Sequence, residues 1–289
     1  MTSSRRFRFV QFEFAWELGP EPGRYPIRER MGEAPEYVLV LRTLGAPERR
    51  LLATRRRGRE APAEPSPEPV ATSRATLVDT EPLDDDVAAA SWLREADLET
   101  LAEDAIARMN RIVYAHRVAS ADPYTREVSR EQALTTRIGY GDGEKVAEGR
   151  WESARELSAG SGGTGLRPGG AVLHPQERLA AVLAGRDALL ASEELALRAR
   201  TDLDAGRYRE AALQLRIAFE AAIAELEPWR ERQSLPERLE ELRARRDEVG
   251  AAANAALKGG LDVEHIETVR SVLARVEAAL RARTAGGLH

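Results

Sequence analysis

Residues 208–226 carry the pattern that most constrains the fold. Tyr208, Ala211, Ala212, Leu215, Ala218, Phe219, Ala222 and Leu226 recur at steps of three and four, which sets them along one face of an α-helix. Such a stripe has to be buried against other elements, so the segment requires packed neighbours. Ala205-Gly206 separates it from an earlier helical run that begins near Leu195. Glycine ends a helix in a left-handed conformation without steric cost. Pro228 closes the second run.

Helical signals continue on both sides. Pro175 suits the first turn of a helix whose apolar set is Leu179, Val182, Leu183, Leu189 and Leu190, weakened at Gly185. Ser234 to Glu237 (SLPE) is a capping box with proline in the first turn. Leu235, Leu239, Leu242 and Val249 follow, and the signal fades into the alanine-rich 251–256 and Gly259-Gly260. Asp262 caps a last helix with the stripe Val263, Ile266, Val269, Leu273, Val276 and Leu280, and Gly286-Gly287 ends it. About four helices with short connections predict an all-α up-down helical bundle over 172–289.

The first half reads differently. Residues 5–18 alternate, with Val10, Phe12, Phe14 and Trp16 on one face and Phe9, Gln11 and Glu13 on the other. Glu36–Leu44 is a second strand and Arg74–Asp79 a third, giving a small antiparallel sheet. Val87–Leu93 forms a short helix, and Asp97 caps a longer one through His116. Ser129 and Gln132 have capping-box spacing and start a short helix through Arg137. The fold class is therefore α+β and mainly helical. The domains are 1–157, with an Arg- and Pro-rich insertion at about 46–73, then a Gly/Ser-rich linker at 158–171, then 172–289.

Composition narrows the function. At 289 residues the chain is long enough for two cores, and a net charge of −5 argues against a nucleic-acid coat. Cysteine is absent, which excludes disulfides, thiolate metal sites and cysteine nucleophiles and is compatible with the cytoplasm. Arg5-Arg6 faintly resembles a twin-arginine export signal, but Gln11, Glu13 and Glu17 interrupt any apolar core. There is no run of 18 apolar residues, so a cytoplasmic protein without membrane contact is expected.

Three groups of residues merit a chemical reading. Arg49, Arg50, Arg55, Arg56, Arg57 and Arg59 form a basic run suited to RNA phosphates or an acidic partner, or simply to solvent. No aromatic residue interleaves it, so base stacking has no platform there. Gly139, Gly141 and Gly143, followed by Lys145, form a loop whose amides and ammonium suit an anion. The spacing is that of neither a Walker A motif nor a dinucleotide fingerprint, and a turn anchored by Tyr140 and Trp151 is the alternative. Asn110-Arg111 with His116 resembles the R-x-x-x-x-H motif of the HEPN helical ribonucleases. That resemblance implies that Arg111 steadies a phosphodiester while His116 moves its proton. The other histidines, His174, His265 and His289, offer no metal-ligand spacing, and no metal or cofactor is expected.

The G-x-Y-x-x-A turn at Gly206, Tyr208 and Ala211, with Ala218, resembles the inter-helix turn of a tetratricopeptide repeat over about 34 residues, 195–228. Arg198 and Asp202 depart from that pattern, and no second copy follows. The resemblance implies a helical hairpin that grips a peptide. Together with the amphipathic helices it leads to a non-enzymatic scaffold or adaptor that binds a protein partner or itself. The alternatives are an RNA-associated protein and a small enzyme with an anion-binding loop.

Overall fold

The computed structural model describes residues 5–28, 33–45, 72–158, 175–232 and 234–285. The arginine run at 49–59, the Pro/Glu segment at 61–69, the linker from 159, His174, Gly286-Gly287 and His289 lie outside them. The chain divides into two compact units, 1–164 and 165–289.

Unit one is built on β1 (Arg6–Phe14), which lies inside a six-stranded sheet. The other strands are β2 (Gly23–Ile27), β3 (Tyr37–Leu44), β4 (Thr72–Leu83), β5 (Thr135–Gly141) and β6 (Ser153–Leu157). Their order is β2-β3-β4-β1-β5-β6, and every pairing is antiparallel. The register sets Gln11 beside Thr76 on one side and Arg137 on the other. The period of two sends Val10, Phe12 and Phe14 to the face covered by α1 (Asp86–Glu95) and α2 (Leu98–Ala119). Leu93, Ala102, Ala105 and Met109 meet them there. Asp85 accepts the Ala88 amide at 2.8 Å, and Asp97 accepts that of Thr100 at 3.3 Å, so both helices are capped by carboxylates.

Three expectations change. Trp16 lies beyond β1 and is 40% exposed. The sheet has six strands rather than three, and the weak third strand is the twelve-residue β4 next to the centre. The capping box at Ser129 opens only a three-residue 3-10 turn, after which the chain enters β5 instead of continuing as helix. Thr135, Thr136 and Ile138 are β-branched and sit better in a strand.

Unit two has six helices among the described residues, where about four were expected. They are α3 (Pro175–Leu183), α4 (Ala191–Asp204), α5 (Tyr208–Leu226), α6 (Leu235–Ala244), α7 (Arg246–Leu257) and α8 (Val263–Ala285). Helix α5 is the hub. Its stripe of Ala211, Leu215, Ala218, Phe219, Ala222 and Leu226 is buried in one cluster with Ala199 of α4, Leu239 of α6, Ala252 of α7 and Val276 of α8. Gly206 adopts φ +73 at the α4–α5 turn, and the Arg207 amide bonds the Asp202 carbonyl at 2.8 Å, the expected glycine-terminated helix end. The alanine-rich stretch does not fade. It is helix α7, with Ala252, Ala253 and Ala256 buried, since alanine is the best helix former and lets helices approach closely. One long helix is replaced by two, broken at Arg245.

Helix α3 departs most from its pattern. Leu179, Leu183 and the following Leu189 are 51%, 79% and 71% exposed, whereas Ala181 is buried. Gly185 (φ +69) ends the helix in a left-handed turn, with the Arg186 amide on the Ala181 carbonyl at 2.8 Å.

A Cβ on Gly139 would lie 2.1 Å from the Ser153 carbonyl oxygen and 2.7 Å from Ala154 Cα. Only glycine lets β6 approach β5 there. Gly139→Ala is expected to displace β6 and destabilise unit one by about 1–3 kcal/mol in denaturant unfolding. An unchanged midpoint would show that β6 is not seated as described.

Candidate functional site

The sequence-derived candidates among the described residues fall on α2 and around β5. Arg111 and His116 lie five positions apart on α2, about 140° around its axis at 3.6 residues per turn. Arg111 is exposed, and His116 is half-buried in the last turn. The His116 ring lies against Gly19, where an added Cβ would be 3.2 Å from His116 Cδ2. Asn110 has a structural role instead. Its amide donates to the Val128 carbonyl at 2.7 Å and accepts the Val128 amide at 3.0 Å, which staples the segment after α2 onto the helix.

Gly139 and Gly141 belong to β5 rather than to a loop. Gly143 has φ +57 at a turn, and Lys145 donates to Asp142 at 2.6 Å. The turn that follows packs on the second face of the sheet. Val146 is buried with Phe9 and Val78, and the Trp151 ring lies 5.8 Å from that of Phe9. Gln11, 1% exposed, donates to Thr76 Oγ1 at 2.8 Å and to the Val146 carbonyl at 3.2 Å.

The arginines of this face are answered by carboxylates. Glu13 accepts from Arg74 at 2.8 Å and from Arg137 at 3.1 Å. Arg137 also reaches Glu156, and Arg42 and Arg150 both reach Glu148. Arg24 pairs with Glu144. The face is charged but internally neutralised, which leaves little field for a polyanion.

The densest polar arrangement lies in unit two. Arg283 of α8 is 3% exposed and reaches back to the α3–α4 connection. Its Nη1 donates to Asp187 at 2.9 Å and its Nη2 to the Ala188 carbonyl at 3.2 Å, with Glu193 at 3.5 Å. Arg178 of α3 donates to Asp187 at 3.1 Å and to Glu193 at 2.7 Å. Two guanidiniums and two carboxylates thus close a knot around residues 178–193. The guanidinium of Arg283 also lies 5.0 Å from the centre of the Trp229 ring. Glu225 of α5 caps α4, accepting the Ser192 hydroxyl at 2.7 Å and the amides of Ser192 and Ala191 at 3.0 and 3.2 Å.

Burial raises the Asp187 pKa. The hydrogen bonds of Arg178, the Ala188 amide and Arg283 outweigh it, so the carboxyl sits below its ordinary value. Glu225 behaves alike: burial raises it, and Ser192, Ala191 and the charge of Arg283 bring it down. Among the described residues no group of His, Asp and Glu is placed to hold a metal, and no helix is long and apolar enough to cross a membrane.

No family model matches the chain, and neither the curated proteins nor the solved structures give a match.

The knot makes a pH prediction. A carboxyl whose folded pKa is depressed contributes stability that is present above its unfolded pKa and lost as pH falls through the folded one. Unit two should therefore lose stability below the ordinary carboxylate range of about 4. Asp187→Ala, which leaves the buried Arg283 only the Ala188 carbonyl and Glu193 at 3.5 Å, should cost about 3 kcal/mol at neutral pH and flatten that acid limb. Thermal unfolding across pH reads both effects, and a variant with the wild-type profile would contradict the knot.

Proposed function

We propose that the chain is a non-enzymatic adaptor that binds a partner protein through its helical unit, with α3 as the contact. The reading rests on the outward apolar pair Leu179 and Leu183 of α3, with Leu189 exposed in the connection that follows. Leucines in such a row bury little within the monomer, and contiguous exposed apolar surface is the usual mark of a binding face. The partner chemistry that fits is an amphipathic helix laying an i, i+4 apolar row on these leucines. The α4–α5 hairpin, with its tetratricopeptide-like turn, adds the exposed Leu197 and Ile217. Cysteine-free composition suits a cytoplasmic setting. Self-association through α3 is the same chemistry with a second copy as partner. The RNA-associated alternative rests on Arg49–Arg59, and the enzyme alternative on Lys145 and its glycines.

The test is capture from host lysate with the full chain, with and without nuclease, beside a Leu179→Glu/Leu183→Glu variant. Both side chains are exposed, so the variant should fold normally. A nuclease-resistant partner that the variant loses, or a concentration-dependent sedimentation that it abolishes, is the expected result. Partners that vanish with nuclease would move the assignment to RNA. A partner retained by the variant would remove α3 from the account.

A further inference from the structure

Beside the knot is a recess of about 270 Å³, lined by Gly185, Arg186, Asp187, Ala188, Trp229, Arg232, Arg283 and Thr284. Its charge balance is uneven. The carboxylate of Asp187 is committed to Arg283, Arg178 and the Ala188 amide. Glu225 is held at the N-terminus of α4 and does not line the recess. Arg283 is neutralised within the knot. Arg186 and Arg232 have no carboxylate partner among the described residues, and the one bond of Arg232 goes to the Arg283 carbonyl. Two arginines without a carboxylate partner among the described residues therefore line one small recess.

The donors that remain are side chains. The amides of Gly185, Arg186, Asp187 and Ala188 already bond Val182, Ala181 and the Asp187 carboxylate. The Thr284 hydroxyl donates to the Arg281 carbonyl at 2.9 Å. Arg283 Nε is buried and has no acceptor among the described residues. Trp229 supplies an apolar wall, held by its contact with Arg283.

We propose that this recess binds a small phosphate monoester, with Arg186 and Arg232 on the phosphoryl oxygens and the organic substituent against Trp229. A phosphoryl group carries close to two negative charges at neutral pH and matches the forked donors of two guanidiniums. The volume is just below the range of sites for larger small molecules, about 300–1,000 Å³, and favours a single phosphoryl group with a compact substituent. The site is independent of the leucine row of α3 and stands whether or not that row binds a protein.

The experiment is isothermal titration of the full chain at low salt with phenyl phosphate, and separately with inorganic phosphate. One-to-one binding is expected, tighter for phenyl phosphate because only it reaches the indole. Arg186→Gln alone should weaken it at least about tenfold, the loss of one charge-assisted contact. Arg186 is exposed and unpaired among the described residues, so that variant keeps the fold. Arg94→Gln/Arg117→Gln, on α1 and α2 of the other unit, controls for the many remaining arginines and should bind as wild type. Absence of saturable binding in the millimolar range would overturn the proposal. So would an unchanged affinity in Arg186→Gln, or an equal loss in the control variant.

Discussion

A guanidinium at 3% exposure has to be answered by charge, and the way Arg283 is answered sets the start of the helical unit. Asp187 lies on the connection between α3 and α4 and Glu193 in the first turn of α4, while Arg283 lies near the end of α8. Their contact joins segments 96 residues apart in sequence. Arg178 adds a second guanidinium from α3 itself, so α3 is fixed by polar contacts rather than by its leucines. Its orientation follows: Ala181 faces inward, and Leu179 and Leu183 face outward. The same knot uses up the carboxylate of Asp187 and leaves Arg186 and Arg232 to govern the recess beside it. The exposed leucines of α3 and the two arginines of the recess thus lie on either side of one buried ion pair in the sequence of contacts that holds α3.

Unit one resolves its charges in the opposite way. Its sheet carries arginines on the face away from the helices, but each of Arg24, Arg42, Arg74 and Arg137 meets a glutamate. Partly buried pairs such as Glu13 with Arg74 and Arg137 fix side-chain positions and register more than they add stability. The covering turn that ends at Trp151 seals Phe9 and Gln11 from water. Glycines that look like an anion loop in sequence serve close packing there.

Periodicity made much of this fold legible. The stripe of α5, the cap at Asp97, the β1 alternation and the α+β, mainly helical class all follow from local patterns that burial enforces. What escaped has physical reasons. Strand β2 contains Pro26 and only five residues, and β5 and β6 are broken by Gly139 and charged residues, so strand propensity alone does not mark them. The alanines of α7 carry little hydrophobic signal yet pack well. The exposed face of α3 reads as core because a leucine stripe has the same spacing whether it faces its own domain or a partner. The knot has no motif at all: Arg178, Asp187, Glu193 and Arg283 meet only through tertiary structure, and in a chain rich in arginine and glutamate nothing distinguishes them beforehand.

The absence of cysteine gives a direct measurement of how α3 is turned. Single-cysteine chains made by Leu183→Cys and by Ala181→Cys would be labelled with a thiol reagent, each at a concentration where the chain is monomeric. The knot predicts that the cysteine at 183 reacts at nearly the rate of an unfolded peptide, and that the one at 181 is protected until the unit opens. Protection at 183 with free reaction at 181 would mean that α3 packs on its leucines. The polar anchoring of that helix, and with it the proposed contact surface, would then be wrong.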